Sequence, residues 1–100
     1  MENQHRKITG YRELDQEEID LMNKVKALGV EIESVLKAVE ANTEEKRSQT
    51  LNPDLSEEER TKLFVAIENA TPERFLALAK TELQTGLMYA TRAVAQPEFF

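Results

Sequence analysis

One face of the last helical segment carries side chains suited to holding a small anion. The spacing of Thr81, Thr85, Met88 and Arg92 places all four within about 60° of one another on an α-helix. Two hydroxyls, a thioether and a guanidinium can line a site for a planar, anionic molecule, because arginine pairs with phosphate through a planar fork of N–H donors. The alternative is an ordinary helix surface, although threonine is a poor helix former.

Lys26 is a second candidate for contact with an anion. It follows Met22 by four residues and precedes Val30 by four, so on a helix it lies on an apolar flank instead of the plainly solvated side. Its stem could cover an interface while the ammonium stays in water. It could equally be a cation at the edge of a pocket between chains, where it would contact a phosphate.

Tyr11 lies in the short stretch TGYREL and is one of only two tyrosines. Tyrosine can stack on a nucleobase, and its hydroxyl can form a hydrogen bond. The adjacent Gly10 would free the backbone to direct the ring toward a ligand. The residue types alone leave a second interpretation open, in which Tyr11 fills a small hydrophobic core.

The residues needed for catalysis or metal binding are scarce. The chain has one histidine, His5, and no cysteine, so a histidine-based triad or a multi-histidine metal site cannot form within one copy. Its three glycines, Gly10, Gly29 and Gly86, are far apart and form no phosphate-binding loop. The acidic run 57–59 is typical of a solvated helix start. The sequence therefore predicts no enzymatic activity, no metal and no cofactor.

The charge balance narrows the choice of partners. Charged residues are 32% of the 100-residue chain, and the formal net charge is −6. Such a charge disfavours nonspecific binding to DNA, RNA or an anionic membrane, so an anion site would have to be a local basic pocket. The N-terminal residues are polar, and no apolar run approaches the roughly 18 residues that a membrane span needs. We expect a soluble intracellular protein without a signal peptide.

Capping signals divide the chain into helices. Asp15 with Glu18, and Ser56 with Glu59, form capping-box patterns, and Pro72 suits the first position of a helix. The predicted organisation is one domain with an N-terminal arm at 1–14, a first helix at 15–42, a loop and short helical insert at 43–71, a last helix at 72–95 and a tail at 96–100. No alternating strand pattern is present. The sequence predicts an all-α fold, an antiparallel helical hairpin of two long helices with a short helical insert.

Apolar periodicity predicts a core and also a surplus of apolar surface. One stripe on each long helix should pack against the other: Leu21, Val25, Leu28, Ile32, Leu36 and Val39 against Leu76, Ala79, Leu83, Leu87, Ala90 and Val94. Further apolar residues lie off these stripes, namely Ile19, Met22, Val30, Leu78, Met88, Tyr89, Phe99 and Phe100. A two-helix hairpin cannot bury a second stripe by itself, so we expect a homo-oligomer.

Two blocks of sequence also resemble a known family. KITGYRELDQEEIDLMNKVKALG and TELQTGLMYATRAVAQP are similar to the phage anti-CBASS cyclic-nucleotide sponges, whose helical-hairpin domain occurs in related phage anti-defence proteins. The resemblance covers roughly residues 5–40 and 74–97. It implies a hexamer without catalytic activity, which binds cyclic dinucleotides such as cyclic GMP-AMP, and in some members cyclic trinucleotides, in the cytoplasm of the infected bacterial host.

The resemblance also implies roles for particular residues. Tyr11 would stack on a base of the cyclic dinucleotide, Lys26 would contact its phosphates, and Arg92 with Met88 would form a further wall of that pocket. A second, trinucleotide site would involve three residues: Lys80, Thr81 and Gln84. Lysine at position 80 stands where an arginine is expected, and the two are not equivalent at a planar bidentate site.

One further departure from the family and two alternative functions remain at this level. Residues 43–73 have no evident counterpart in the family and look longer than its usual connection. A small helical DNA-binding phage regulator is one alternative, against which stand the net acidity and the lack of a basic recognition helix. The other is a purely structural helical assembly protein, which would form the same oligomer and bind no ligand.

Overall fold

The computed structural model describes residues 13–98, and every regular element among them is helical. α1 is Gln16–Gln49, α2 is Glu57–Ala70 and α3 is Pro72–Ala95. The all-α class and the short helix between two long ones are therefore confirmed. None of the helices in the described range combines the length and the apolar character needed to span a membrane.

The chain forms two compact units. The terminal unit includes residues 13–31 and 83–98, and the middle unit is residues 32–82. In the terminal unit the beginning of α1 and the end of α3 line a common groove in a hairpin-like arrangement. The middle unit contains the rest of both long helices together with α2. That the chain is a single domain stays a prediction.

Both predicted capping boxes lie at helix starts. The Glu18 backbone N–H donates to Asp15 Oδ1 at 2.8 Å, and the Asp15 N–H donates to Glu18 Oε1 at 3.0 Å, so the first box is reciprocal. At α2 the Glu59 N–H donates to Ser56 Oγ at 3.0 Å. These bonds satisfy N–H groups that the first turn of a helix leaves without a partner, and they fix where α1 and α2 begin.

α1 is longer than the sequence predicted. It ends at Gln49 instead of about Asn42; residues 43–49 permit a helix without requiring one, since they contain neither glycine nor proline. Arg47 also ties this last turn to the rest of the middle unit. Its Nη1 donates to Glu68 Oε1 at 2.8 Å, and its Nη2 donates to Glu73 Oε1 at 2.8 Å.

The loop between α1 and α2 is held by local hydrogen bonds. The Asp54 N–H donates to Asn52 Oδ1 at 2.9 Å, an Asx-type turn that favours chain reversal. The Arg60 guanidinium donates to the carbonyl oxygens of Asn52 and Leu55. A side chain of α2 therefore satisfies backbone acceptors in the segment that precedes it.

The inward face of α1 is rotated from the predicted stripe. Val25, Ile32 and Leu36 are half-buried as expected. The prediction was wrong for three others, since the exposed fractions of Leu21, Leu28 and Val39 are 41%, 49% and 45%. Met22 and Gly29 are half-buried in their place. At Gly29 on the observed inward face, a Cβ atom would approach Leu87 Cδ1 to 3.3 Å, so the glycine admits a close helix contact.

α3 agrees with its predicted stripe at four of six positions. Leu76, Ala79, Leu87 and Val94 are half-buried, whereas Leu83 and Ala90 are exposed. Thr91 is half-buried instead, and its Oγ1 donates to the carbonyl oxygen of Leu87 at 2.9 Å. That bond gives the hydroxyl of Thr91 a hydrogen-bonding partner on the inward face of α3.

Little apolar surface is fully buried within one copy. In the part of the chain that the structure describes, Ile67 is the one buried apolar side chain, with 7% exposed. Three of the residues predicted to lie off the core, Val30, Met88 and Tyr89, are about 70% exposed, whereas Ile19 and Met22 are half-buried. A chain that leaves so many large apolar residues in water is expected to associate.

Candidate functional site

A groove of about 830 Å³ runs along the terminal unit and is the best candidate for a ligand site. Its volume lies within the range of roughly 300–1,000 Å³ that is usual for small-molecule sites. The walls are mostly apolar and are formed by both long helices and the residues flanking them. The lining residues are Leu14, Met22, Asn23, Val25, Lys26, Gly29, Leu87, Met88, Thr91, Arg92, Ala95 and Pro97.

Lys26 and its neighbours on α1 form one wall. Met22 and Lys26 are one helical turn apart; Met22 is half-buried on the inward face and Lys26 is exposed beside it. Leu14 precedes the Asp15 cap, so the capping box that starts α1 also positions this end of the wall. Gly29 removes side-chain bulk where Leu87 contacts α1.

Met88 and Arg92 form the opposite wall. They are also one turn apart, on the flank of α3 that faces the groove. Met88 is 70% exposed, and Arg92 lies in the last turn of α3, where a cation interacts favourably with the helix dipole. An exposed thioether beside a guanidinium offers an apolar surface and a phosphate-binding fork together.

The end of α3 turns sharply into the groove. The Gln96 N–H donates to the Arg92 carbonyl at 2.8 Å, and Gln96 has a left-handed backbone with φ of 45°. This conformation ends the helix and directs Pro97 to the groove wall. The C-terminal cap of α3 therefore limits the groove at the end where Arg92 lies.

The groove differs in charge from the chain as a whole. Among the lining residues that the structure describes, two are cations, Lys26 and Arg92, and none is a carboxylate. The whole chain has 19 acidic residues against 13 lysines and arginines. The local excess of positive charge in an acidic protein matches the local basic pocket that the charge balance requires for anion binding.

The structure brings together Lys26, Met88 and Arg92, as the sequence analysis predicted for one site. Tyr11 lies outside the described residues. Thr85 belongs to the terminal unit but does not line the groove, and Thr81 belongs to the middle unit. Of the four α3 residues predicted to share one face, Met88 and Arg92 therefore line the groove. Their ligand-binding roles stay predictions.

The predicted trinucleotide residues are all exposed. Lys80 and Thr81 belong to the middle unit, and Gln84 belongs to the terminal unit. Their proposed role stays a prediction.

Sequence reasoning missed Asn23 and Thr91 in the groove. Asn23 precedes Lys26 by three residues, so helical periodicity already places it on the same flank and could have identified it. Thr91 lies next to Arg92, and it was not predicted because Ala90 was expected to face inward in its place. Its inward position depends on how far α3 is rotated, which periodicity fixes only approximately.

The middle unit contains a separate charged cluster. Hydrogen bonds from Arg47 are the largest cause that lowers the pKa of Glu73, to about 2, and bonds to Glu73 and Glu68 raise the pKa of Arg47. A smaller groove of about 540 Å³ lies between α1, α2 and the start of α3, with Lys46 on its wall. Among residues 13–98 no group of histidine, cysteine or carboxylate side chains is arranged to hold a metal ion.

Comparison with known proteins identifies the family. The Acb2/Tad1 hairpin domain matches residues 3–95. The chain belongs to this family. It is also 43% identical over 109 aligned residues to Anti-CBASS protein 2 of Pseudomonas phage JBD67, and the alignment covers 98% of each chain. The family resemblance predicted from the two sequence blocks is confirmed.

The same alignment extends over the segment between the two resembling blocks. Residues 43–73 were expected to have no counterpart in the family. Because 98% of this chain is covered, that segment lies within the matched region. The family match and the alignment therefore both run across the loop and α2.

Proposed function

We propose that this protein is a non-catalytic sponge that binds and sequesters cyclic dinucleotides and so antagonises CBASS immunity in the infected bacterial cell. The observation that carries the proposal is the groove of the terminal unit, where Lys26 and Arg92 lie on opposite walls and no carboxylate lines the groove among residues 13–98. Family membership and the name of the Pseudomonas phage relative support the anti-CBASS role.

The chemistry of the groove suits a cyclic dinucleotide. Such a ligand carries two phosphodiester anions and two planar bases. One cation on each wall can pair with a phosphodiester, with the guanidinium of Arg92 offering a bidentate fork. Met88 and the apolar floor accept the faces of bases, and Tyr11 in the adjoining segment would supply a stacking ring.

A sponge acts by mass action and needs no chemistry at the ligand. It must be present at a higher concentration than the signal, and its dissociation constant must lie well below that of the host effector. A nanomolar dissociation constant corresponds to about −12 kcal/mol. Two phosphodiester pairings and two stacked bases, excluded from water between chains, can supply that free energy. The ligand is then released unaltered.

We further propose that the active form is a homo-oligomer, and by the family resemblance a hexamer. The described part of one copy leaves thirteen large apolar residues exposed, including Leu28, Val35 and Phe75. A groove that is open to solvent in one copy would be closed by a neighbouring copy in the assembly. Cyclic trinucleotides, with Lys80, Thr81 and Gln84 as candidate contacts, remain a secondary proposal.

Isothermal titration calorimetry with a panel of cyclic di- and trinucleotides tests this function. We expect Lys26→Ala and Tyr11→Ala each to weaken cyclic dinucleotide binding by about tenfold or more, the equivalent of about 1.4 kcal/mol. Lys24→Ala is a matched control, because it removes the same charge from α1 at a position outside the groove lining. Equal losses of affinity in Lys24→Ala and Lys26→Ala would show that binding depends only on the overall electrostatic field of the protein, and they would refute the proposed site.

A further inference from the structure

We propose that Gly29 is a positioning residue whose contact with Leu87 sets the spacing between the two walls of the groove. This inference rests on the proposed function and concerns the same site. Gly29 on α1 and Leu87 on α3 both line the groove, and both are half-buried. Gly29 has no side chain with which to contact a ligand, so its part in binding acts through the residues that it positions.

The contact lies at the inner end of the groove. Among the described lining residues, those of α1 are Gly29 or precede it, and those of α3 are Leu87 or follow it. The groove therefore extends from this contact toward the start of α1 and the end of α3. Lys26 comes three residues before Gly29, about 4.5 Å along the helix axis, and Arg92 comes five residues after Leu87, about 7.5 Å. Because these stretches of helix are short and stiff, a displacement at the contact reaches both cations.

The contact leaves no room for a side chain at position 29. A Cβ atom there would lie 3.3 Å from Leu87 Cδ1, closer than the separation of about 3.5–4.0 Å that is usual between carbon atoms in contact. The Leu87 side chain therefore packs directly on the α1 backbone, and a larger residue at 29 would push Leu87 away from α1. Gly86 differs, since a Cβ there would have no neighbour within 4 Å.

A cyclic dinucleotide is sensitive to the spacing of the walls. Its two phosphodiesters belong to one closed ring, so the distance between the two anions varies little. Lys26 and Arg92 can pair with both anions at once only when the walls that carry them are correctly spaced. Walls that are too far apart leave one phosphodiester unpaired and admit water, which weakens the remaining ion pair. The absence of a side chain at Gly29 therefore raises the affinity through the position of the two cations.

The test is calorimetry with cyclic GMP-AMP on the wild type, on Gly29→Val and on the double variant that combines Gly29→Val with Leu87→Ala. Valine adds three carbon atoms at the contact and Leu87→Ala removes three from the facing side, so the double variant keeps the total volume. We expect Gly29→Val to raise the dissociation constant about fivefold or more, and the double variant to return it to within about twofold of the wild type. Gly29→Ala should act in the same direction as Gly29→Val with a smaller effect.

Gly86→Val is the matched control. It makes the same change next to Leu87 at a position where a side chain meets open space, and its dissociation constant should stay within about twofold of the wild type. An unchanged affinity in Gly29→Val, or a loss that the double variant does not recover, would overturn the inference and leave the sponge proposal standing. If Gly29→Val does not fold, the affinity of the double variant decides by the same criterion. A wild type that binds no cyclic dinucleotide would overturn the sponge proposal itself.

Discussion

At the scale of single residues, Gly29 and Gly86 occupy similar backbone positions with different surroundings. Both lie inside long helices, where glycine lowers helix stability relative to alanine by up to about 1 kcal/mol. A Cβ at Gly29 would meet Leu87 Cδ1 at 3.3 Å, whereas a Cβ at Gly86 would have no neighbour within 4 Å. The spacing of the glycines along the chain does not indicate this difference, because the difference depends on the partner helix.

The two glycines therefore give a paired prediction. Gly86→Ala should raise the free energy of unfolding by about 0.5–1 kcal/mol, since it gains helix propensity without a clash. Gly29→Ala should gain less or lower the stability, since Leu87 must move to admit the methyl group. Chemical denaturation at one fixed protein concentration checks this. A Gly29→Ala variant that is stabilised as much as Gly86→Ala would contradict the close packing of α1 on α3.

Glu73 gives a prediction about acid stability. Its pKa is lowered to about 2, mainly by hydrogen bonds from Arg47, so the folded state favours the charged carboxylate. An acid whose pKa is lowered on folding stabilises the protein above its unfolded pKa of roughly 4.3, and this contribution is lost as the pH falls toward 2. Glu73→Gln should lower the melting temperature at pH 7, and the difference from the wild type should shrink between about pH 4.5 and 2.

The control for that prediction is Glu82→Gln, which removes another exposed glutamate of α3. It should change the melting temperature less at pH 7 and show no such narrowing. If the Glu73→Gln difference were independent of pH over this window, the interaction with Arg47 would not stabilise the middle unit.

At the scale of the elements, the starts of the helices were predictable and the end of α1 was not. The pairs Asp15–Glu18 and Ser56–Glu59 are local patterns, and a local pattern can be found in the sequence. The extension of α1 to Gln49 involves Arg47 bonding to Glu68 and Glu73, residues more than 20 positions away. Such contacts between distant residues cannot be inferred from the composition of one segment.

The cap of α2 supplies a prediction at this scale. Ser56→Ala removes the acceptor for the Glu59 N–H and should lower the free energy of unfolding by about 1 kcal/mol. Ser34→Ala, at an exposed position within α1, is the control and should be neutral or slightly stabilising, because alanine is the better helix former. Equal effects of the two substitutions would mean that Ser56 does not act as a cap.

At the scale of the whole molecule, the main difference from the sequence prediction concerns which apolar residues pack within one copy. Leu21, Leu28 and Val39 continue a regular stripe with Val25 and Ile32, yet they remain exposed. The apolar periodicity of α1 is present in the sequence, but periodicity alone cannot distinguish a surface that is buried within one chain from a surface that is buried between chains. The groove was predictable in part, through Lys26, Met88 and Arg92, because helix flanks follow from spacing alone.

We therefore predict that Leu28 is covered by another copy in the assembly. Leu28→Glu should shift the sedimentation velocity profile to smaller species, because a buried carboxylate without a partner strongly destabilises an interface. Ala27→Glu adds the same charge one residue away on a different, exposed face of α1, and the assembly should survive it. Oligomers of unchanged size in Leu28→Glu would place the interface elsewhere.

The most direct test of the central proposal is the fate of the ligand. The wild-type protein, in molar excess, is incubated with a cyclic dinucleotide, the free ligand is measured after ultrafiltration, and the protein is then heat-denatured and the nucleotide is identified by chromatography. A sponge predicts that the free ligand disappears in proportion to the protein and returns intact on denaturation. A free pool that is not depleted, or a linearised product in the recovered fraction, would contradict the account.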